Sequence, residues 1–182
     1  MNFNPLRLGA IALGICILTA CGKDPIQTAI EKNDRKAVSE AVKEGADINA
    51  KVSGGDTPLL LAAKTGQSSS AQGLIEAGAD IKARDNAGNG VLHYAAKSGM
   101  TGICGLLVDR GVPIDDKGEA GATPLQFAVQ GGKVETAKFL VRRGASLEQK
   151  NDAGQSALEL VERSGDTRFL NDLVSAAKLR GN

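Results

Sequence analysis

The sequence predicts an all-α solenoid: five helix-turn-helix units on a 33-residue period, joined by short β-turn connections and stacked in one row. Two observations predict it. Glycines recur at a fixed step of 33, as Gly45, Gly78, Gly111 and Gly144, as Gly66, Gly99, Gly132 and Gly165, and as Gly55, Gly88, Gly121 and Gly154. Repetition at a period of about 20–50 residues marks supersecondary units that bury their apolar faces only by stacking. The outermost units also carry more helical charge than the inner ones, as terminal caps with one face in water should.

The motifs inside the period resemble a known family. Thr57-Pro58-Leu59-Leu60-Leu61-Ala62-Ala63 and Thr123-Pro124-Leu125-Gln126-Phe127-Ala128 are similar to the T-P-L-H-x-A signature of ankyrin repeats, and Gly90-Val91-Leu92-His93-Tyr94-Ala95-Ala96 keeps its His. Gly45-Ala46-Asp47-Ile48-Asn49-Ala50 and Gly78-Ala79-Asp80-Ile81-Lys82-Ala83 resemble the segment that closes each repeat. The resemblance runs from about Asp24 to the C-terminus. It implies an ankyrin solenoid that binds other proteins and carries no chemistry in its repeats.

The first twenty residues read as a cleaved leader. Arg7 is their single charge, and Leu8 to Leu18 is an apolar run too short for a membrane span, which needs ~20 apolar residues. Leu18-Thr19-Ala20-Cys21 resembles a bacterial lipobox, which implies acylation of Cys21 and cleavage before it. Several acyl chains on one residue make a lasting membrane anchor, since a single chain binds only marginally. Gly22, where many inner-membrane lipoproteins have Asp, favours the outer membrane facing the periplasm.

The anchored domain, 21–182, then divides in order. Unit one, 24–51, is the N-terminal cap; Asp24-Pro25 can cap and start a helix to Lys32, and Arg35 to Glu44 forms the second. Unit two, 52–84, has a regular first helix, but Gly73 stands where a core side chain is expected. Unit three, 85–117, repeats this weakness at Gly102 and Gly105. These glycines read either as a soft hinge or as relaxed positions in helices held by their neighbours. Unit four, 118–150, has an apolar second helix around Val134, Ala137, Phe139, Leu140 and Val141. Unit five, 151–182, trades Thr-Pro for Ser156-Ala157 and closes the stack with charged helices.

Composition and motifs argue against several functions. Without the leader, 162 residues carry 21 basic and 21 acidic side chains, so bulk electrostatic capture of nucleic acid is not expected. There is no Trp and one Tyr, Tyr94, which leaves no stacking platform for bases or sugars. Cys104 alone remains after the leader and the anchor, so no intramolecular disulfide is expected, and it reads as a small buried hydrophobe. His93 is the single histidine and cannot build a His-based metal site; the resemblance implies a bond to the backbone of an inter-unit turn. Ser68 to Ser70 lie in no nucleophile elbow, and Gly118 to Gly121 match no phosphate-binding loop. No catalysis and no cofactor or metal is expected.

What remains is a binding surface. In the ankyrin family partners contact the turn tips and the exposed face of each first helix, a concave surface. Carried over, the tips give Lys51, Ser53, Asp56, Arg84, Asn86, Asn89, Lys117, Glu119, Lys150, Asp152 and Gln155. The helix face gives Glu31, Lys64, Thr65, Lys97, Ser98, Gln130 and Arg163. Lys51, Arg84, Lys117 and Lys150 form one basic ladder, and Lys64, Lys97 and Arg163 a second. These ladders read either as a stripe that steers an acidic protein partner or as a solvated face. A monomer that scaffolds or stabilises a periplasmic protein is expected. An immunity protein occluding a toxin that acts in the periplasm is the alternative.

Overall fold

A computed structural model describes residues 24–52 and 54–179. The leader, Cys21 and the tip residue Ser53 lie outside the described residues. Within them the chain forms ten α-helices in five pairs: α1 (Pro25–Glu31) and α2 (Arg35–Lys43), α3 (Pro58–Lys64) and α4 (Ser68–Glu76), α5 (Val91–Ser98) and α6 (Thr101–Asp109), α7 (Pro124–Gln130) and α8 (Val134–Arg142), α9 (Ala157–Ser164) and α10 (Thr167–Lys178). None of these helices is long and apolar enough to cross a membrane.

Four of the five first helices start where the sequence places a short polar cap before Pro or Ala; α5 starts at Val91 after Gly90. Thr57 Oγ1 accepts from Leu60 N at 3.4 Å, Thr123 Oγ1 from Gln126 N at 3.4 Å, and Ser156 Oγ from Glu159 N at 3.2 Å. Pro25, Pro58 and Pro124 then occupy the first turn, where a missing N–H costs nothing. Asp24 begins α1 in the same way, its carboxylate accepting from Ile26 N at 2.8 Å.

The first helices pack in sequence, α1 on α3, α3 on α5, α5 on α7 and α7 on α9, and the second helices form a parallel layer behind them. Each unit touches its neighbours, as in a one-dimensional stack. Leu59, Leu60, Ala62 and Ala63 of α3, Leu92, Ala95 and Ala96 of α5, and Leu125 and Ala128 of α7 are fully or almost fully buried between units. Leu74, Leu107, Leu140 and Leu173 do the same in the second layer.

Polar groups reach across the units too. Asn33 Oδ1 accepts from Ser69 N and Ser70 N at 2.9 and 3.1 Å, capping α4 from the preceding unit. Asn49 Oδ1 takes Asp80 N at 2.9 Å, and Asp115 takes Ser146 N at 3.0 Å, two units further on. The intermediate unit has Lys82 at the acceptor position, but Pro113 faces it and has no N–H to satisfy.

Gly73 and Gly105 stand at close contacts between helices rather than in open space. A Cβ on Gly73 would lie 3.1–3.3 Å from the Cγ, Cα and carbonyl oxygen of Arg35, because α2 packs directly on α4 there. A Cβ on Gly105 would meet Phe139 Cζ at 3.2 Å, since that ring fills the space over α6. Gly102 alone faces open space.

Candidate partner-binding face

One backbone bond builds all four tips. The N–H groups of Val52, Asp85, Gly118 and Asn151 donate to the carbonyls of Asp56, Asn89, Ala122 and Gln155 at 2.9, 3.0, 2.9 and 3.0 Å. Each closed turn holds its neighbouring side chains outward. Lys51, Arg84, Asn86, Lys117, Glu119, Lys150 and Asp152 are exposed at the tips, and Thr65, Lys97, Gln130 and Arg163 on the first-helix side; Ser98 is half-buried.

The structure corrects the expected surface at Asn89. This side chain is buried, accepting from Glu119 N at 2.8 Å and donating to Tyr94 Oη at 3.2 Å and Glu119 Oε2 at 3.4 Å. It fastens one tip to the next. No ligand can reach it without opening the turn.

Lys64 and Asp56, both predicted as contact residues, are bound to each other. Lys64 Nζ lies 2.8 and 2.9 Å from the Asp56 carboxylate oxygens, 3.0 Å from Asp85 Oδ2 and 4.9 Å from the centre of the Tyr94 ring. Tyr94 Oη donates to the same Asp85 oxygen at 2.5 Å. Burial alone would depress the Lys64 ammonium, but the bonds to Asp56 and Asp85 outweigh it and hold the group above its ordinary value. Burial likewise pushes Asp85 up, yet the Tyr94 and Lys64 bonds bring its carboxyl below the usual range. The Tyr94 phenol is raised by burial and by its bond to Asp85. The cluster ties unit two to unit three.

Arg84 is also occupied. Its Nη2 sits 2.6 Å from Asp116, and Nη1 donates to the carbonyls of Gly88 and Lys117 at 2.6 and 3.2 Å. Lys150 meets Glu159 at 3.3 Å, an exposed pair that solvent screens. By contrast Lys97, Lys117 and Arg163 have no carboxylate in ion-pair range among the described residues. Lys97 Nζ stands 5.8 Å from the centre of the Phe127 ring in the next unit. The two basic ladders are therefore uneven in chemistry although regular in sequence.

His93 is a structural residue. Gly90 N–H donates to Nδ1 at 3.1 Å, which makes Nε2 the protonated nitrogen, 3.0 Å from Asp116 O and 3.3 Å from Ala122 O. Burial lowers its affinity for a proton and keeps the ring neutral. Gln126 does the same work one unit later, its amide donating to Gln149 O and Gln155 O at 2.9 Å. Sequence reading missed that equivalence; the signal was the spacing, since 93 and 126 share a register. Burial pushes the Cys104 thiol up to about 12, far from a reactive thiolate. Among the described residues no group of three or more His, Cys, Asp or Glu side chains could hold a metal ion.

The geometry defines a class: a stack of helical hairpins whose turn tips and first helices present side chains at a constant repeat. A family model for ankyrin repeats, in three copies, matches residues 10–85 and 92–179. The chain belongs to the ankyrin-repeat family, a fold that generally serves protein–protein interaction without catalysis. A comparison with curated proteins found no match.

Proposed function

We propose that this protein is a non-catalytic binding module of the bacterial envelope, tethered through acylated Cys21 and scaffolding or stabilising a periplasmic partner. The observation that carries the reading is the uniform outer edge. Four tips close with the same backbone bond, and exposed side chains recur beside them at steps of 33, as Lys51, Lys117 and Lys150, as Asn86, Glu119 and Asp152, and as Lys97, Gln130 and Arg163, with Thr65 next to the last row. A rigid, repeating edge of this kind offers extended area, which suits a protein surface. The lipobox-like Leu18-Thr19-Ala20-Cys21 supports the tether, and Gly22 supports the outer membrane. No cofactor and no nucleic acid enters this reading, and the module acts as a monomer.

The test is crosslinking in intact cells followed by recovery of the full-length protein, with Cys21→Ala as the control for anchoring. One partner recovered in near-equal amount, and lost when Cys21 is replaced, supports the scaffold. Absence of any partner in resting cells removes a constitutive scaffold; a gene for a secreted toxin beside this one would then favour the immunity alternative.

A further inference from the structure

Lys64 and Lys97 occupy the same position in successive units, 33 residues apart, yet the charges around them differ. The two carboxylates that grip Lys64 are Asp56 and Asp85. Their counterparts one unit on are Asn89 and Gly118. The cation is kept, and both of its counter-charges are replaced, one in unit three and one in unit four. Asn89 is turned inward to hold Glu119 N, and a side chain on Gly118 would collide with Asn89 and His93, so no neighbouring residue restores the pair.

A second lysine lies beside the turn that follows Lys97. The stem of Lys133 runs back over unit three, so that a Cβ on Gly99 would lie 3.0 Å from Lys133 Cδ. A Cβ on Gly131 would lie 3.3 Å from Lys133 Cγ and would collide with the Lys97 carbonyl. Lys97 and Lys133 are both exposed, and neither has a carboxylate in ion-pair range among the described residues. The acids beside these two units are engaged elsewhere: Glu119 accepts from Asn89, and Glu135 holds Lys138 at 3.0 Å. Arg163, the next cation of the row, is flanked in sequence by Glu162 and Asp166 and is left out of the site.

We propose that Lys97 and Lys133 form the docking point for an acidic segment of a partner protein, whose carboxylates take the place that Asp56 and Asp85 take around Lys64. This rests on the binding-module reading and assigns that partner's charge and its seat on units three and four. Two cations fall short of the clusters of about four to eight that anionic lipid recognition uses. Nucleic acid would require stacking partners as well, and Tyr94 is held by Asp85 and set edge-on to Phe127 at 6.1 Å.

The test measures anisotropy of a short fluorescein-labelled peptide of alternating Asp and Ser, titrated at low ionic strength with the full chain in detergent. Three proteins are compared: the unaltered chain, Lys97→Glu with Lys133→Glu, and Lys36→Glu with Lys43→Glu. The last pair changes net charge equally on exposed positions of α2. The unaltered chain binds the peptide, the first double variant binds about tenfold more weakly, and the second stays within about twofold. Superimposable thermal melts exclude misfolding as the cause. Equal weakening by both variants, no binding by the unaltered chain, or tighter binding of oligothymidylate or phosphatidylglycerol vesicles than of the peptide overturns the proposal. The cellular crosslink separates the two claims. A partner still recovered with Lys97→Glu and Lys133→Glu removes this docking point and leaves the module standing.

Discussion

His93 and Gln126 are functional equivalents inside the fold: each sits at the third position of a first helix, and each bonds to the carbonyls at the same two points of the following turn, Asp116 and Ala122 for one, Gln149 and Gln155 for the other. A neutral ring and an amide therefore do the same structural work. They differ in one property, because only the ring titrates near neutral pH.

The first prediction follows from that difference. The folded state holds the His93 pKa below its ordinary value through burial, so the native chain binds fewer protons than the unfolded one. Its contribution is complete above the unfolded value of about 6.5 and is lost as pH falls below it. The melting temperature should drop between about pH 7.5 and pH 5.5, a window above the carboxylate range in which Asp85 titrates. His93→Gln should flatten that slope at the loss of at most about 1.5 kcal/mol from the edge contact with Phe127 at 5.1 Å. An unchanged slope in the variant would assign the pH dependence to other groups.

The second prediction separates two lysines in one register. Lys64→Met leaves Asp56 and Asp85 facing each other without their shared cation and should destabilise the fold by about 1.5–3 kcal/mol, the range for hydrogen bonds to charged groups. Lys97→Met should change stability by no more than about 0.5 kcal/mol. Urea unfolding of both variants decides the matter; similar losses would show that Lys97 is as much a part of the frame as Lys64.

Gly73 and Gly102 should respond to alanine with opposite signs. Helix propensity favours Ala over Gly by up to about 1 kcal/mol. Gly102→Ala should collect part of that gain, since its Cβ would meet nothing within 4 Å. Gly73→Ala should lose more than it gains, because the new methyl presses on the Arg35 backbone. Thermal melts of the two single variants test the pair, and stabilisation by Gly73→Ala would show that α2 moves aside freely.

Cys104 should be inert. With its thiol pushed up to about 12 and its side chain fully buried, alkylation by iodoacetamide at mildly basic pH should require unfolding. Peptide mapping of native and urea-treated protein reads this directly. Labelling of Cys104 in the native state would mean that α6 opens locally, beside Gly102 and Gly105.

Much of the architecture was legible in the sequence because stacked units impose the same steric demand every 33 residues. The glycine ladders, the capping Thr57, Thr123 and Ser156, and Pro at the helix starts all answer to local backbone geometry, which a linear sequence records. The ladders of charge were equally legible as positions, and Lys97 and Arg163 are exposed as expected. Their meaning was not. Lys64 and Lys97 look alike in sequence, and only the neighbouring unit tells them apart. Asn89 looks like a tip residue and is buried, because its amide bridges two tips that lie 30 residues apart along the chain. Gly73 looks like a missing side chain and is the point where two helices touch.

The sequence by itself therefore determined the repeat, the starts of the capped helices and the near balance of charge, 22 basic against 21 acidic side chains. Each of these depends on residues near one another in the chain or on simple totals. Tertiary structure alone decided which cations are bound and which are open, which polar groups are interior, and which glycines are contacts. Those properties depend on what the next unit brings within a few ångströms, and ion pairing and packing fall off too steeply with distance for position in a repeat to reveal them.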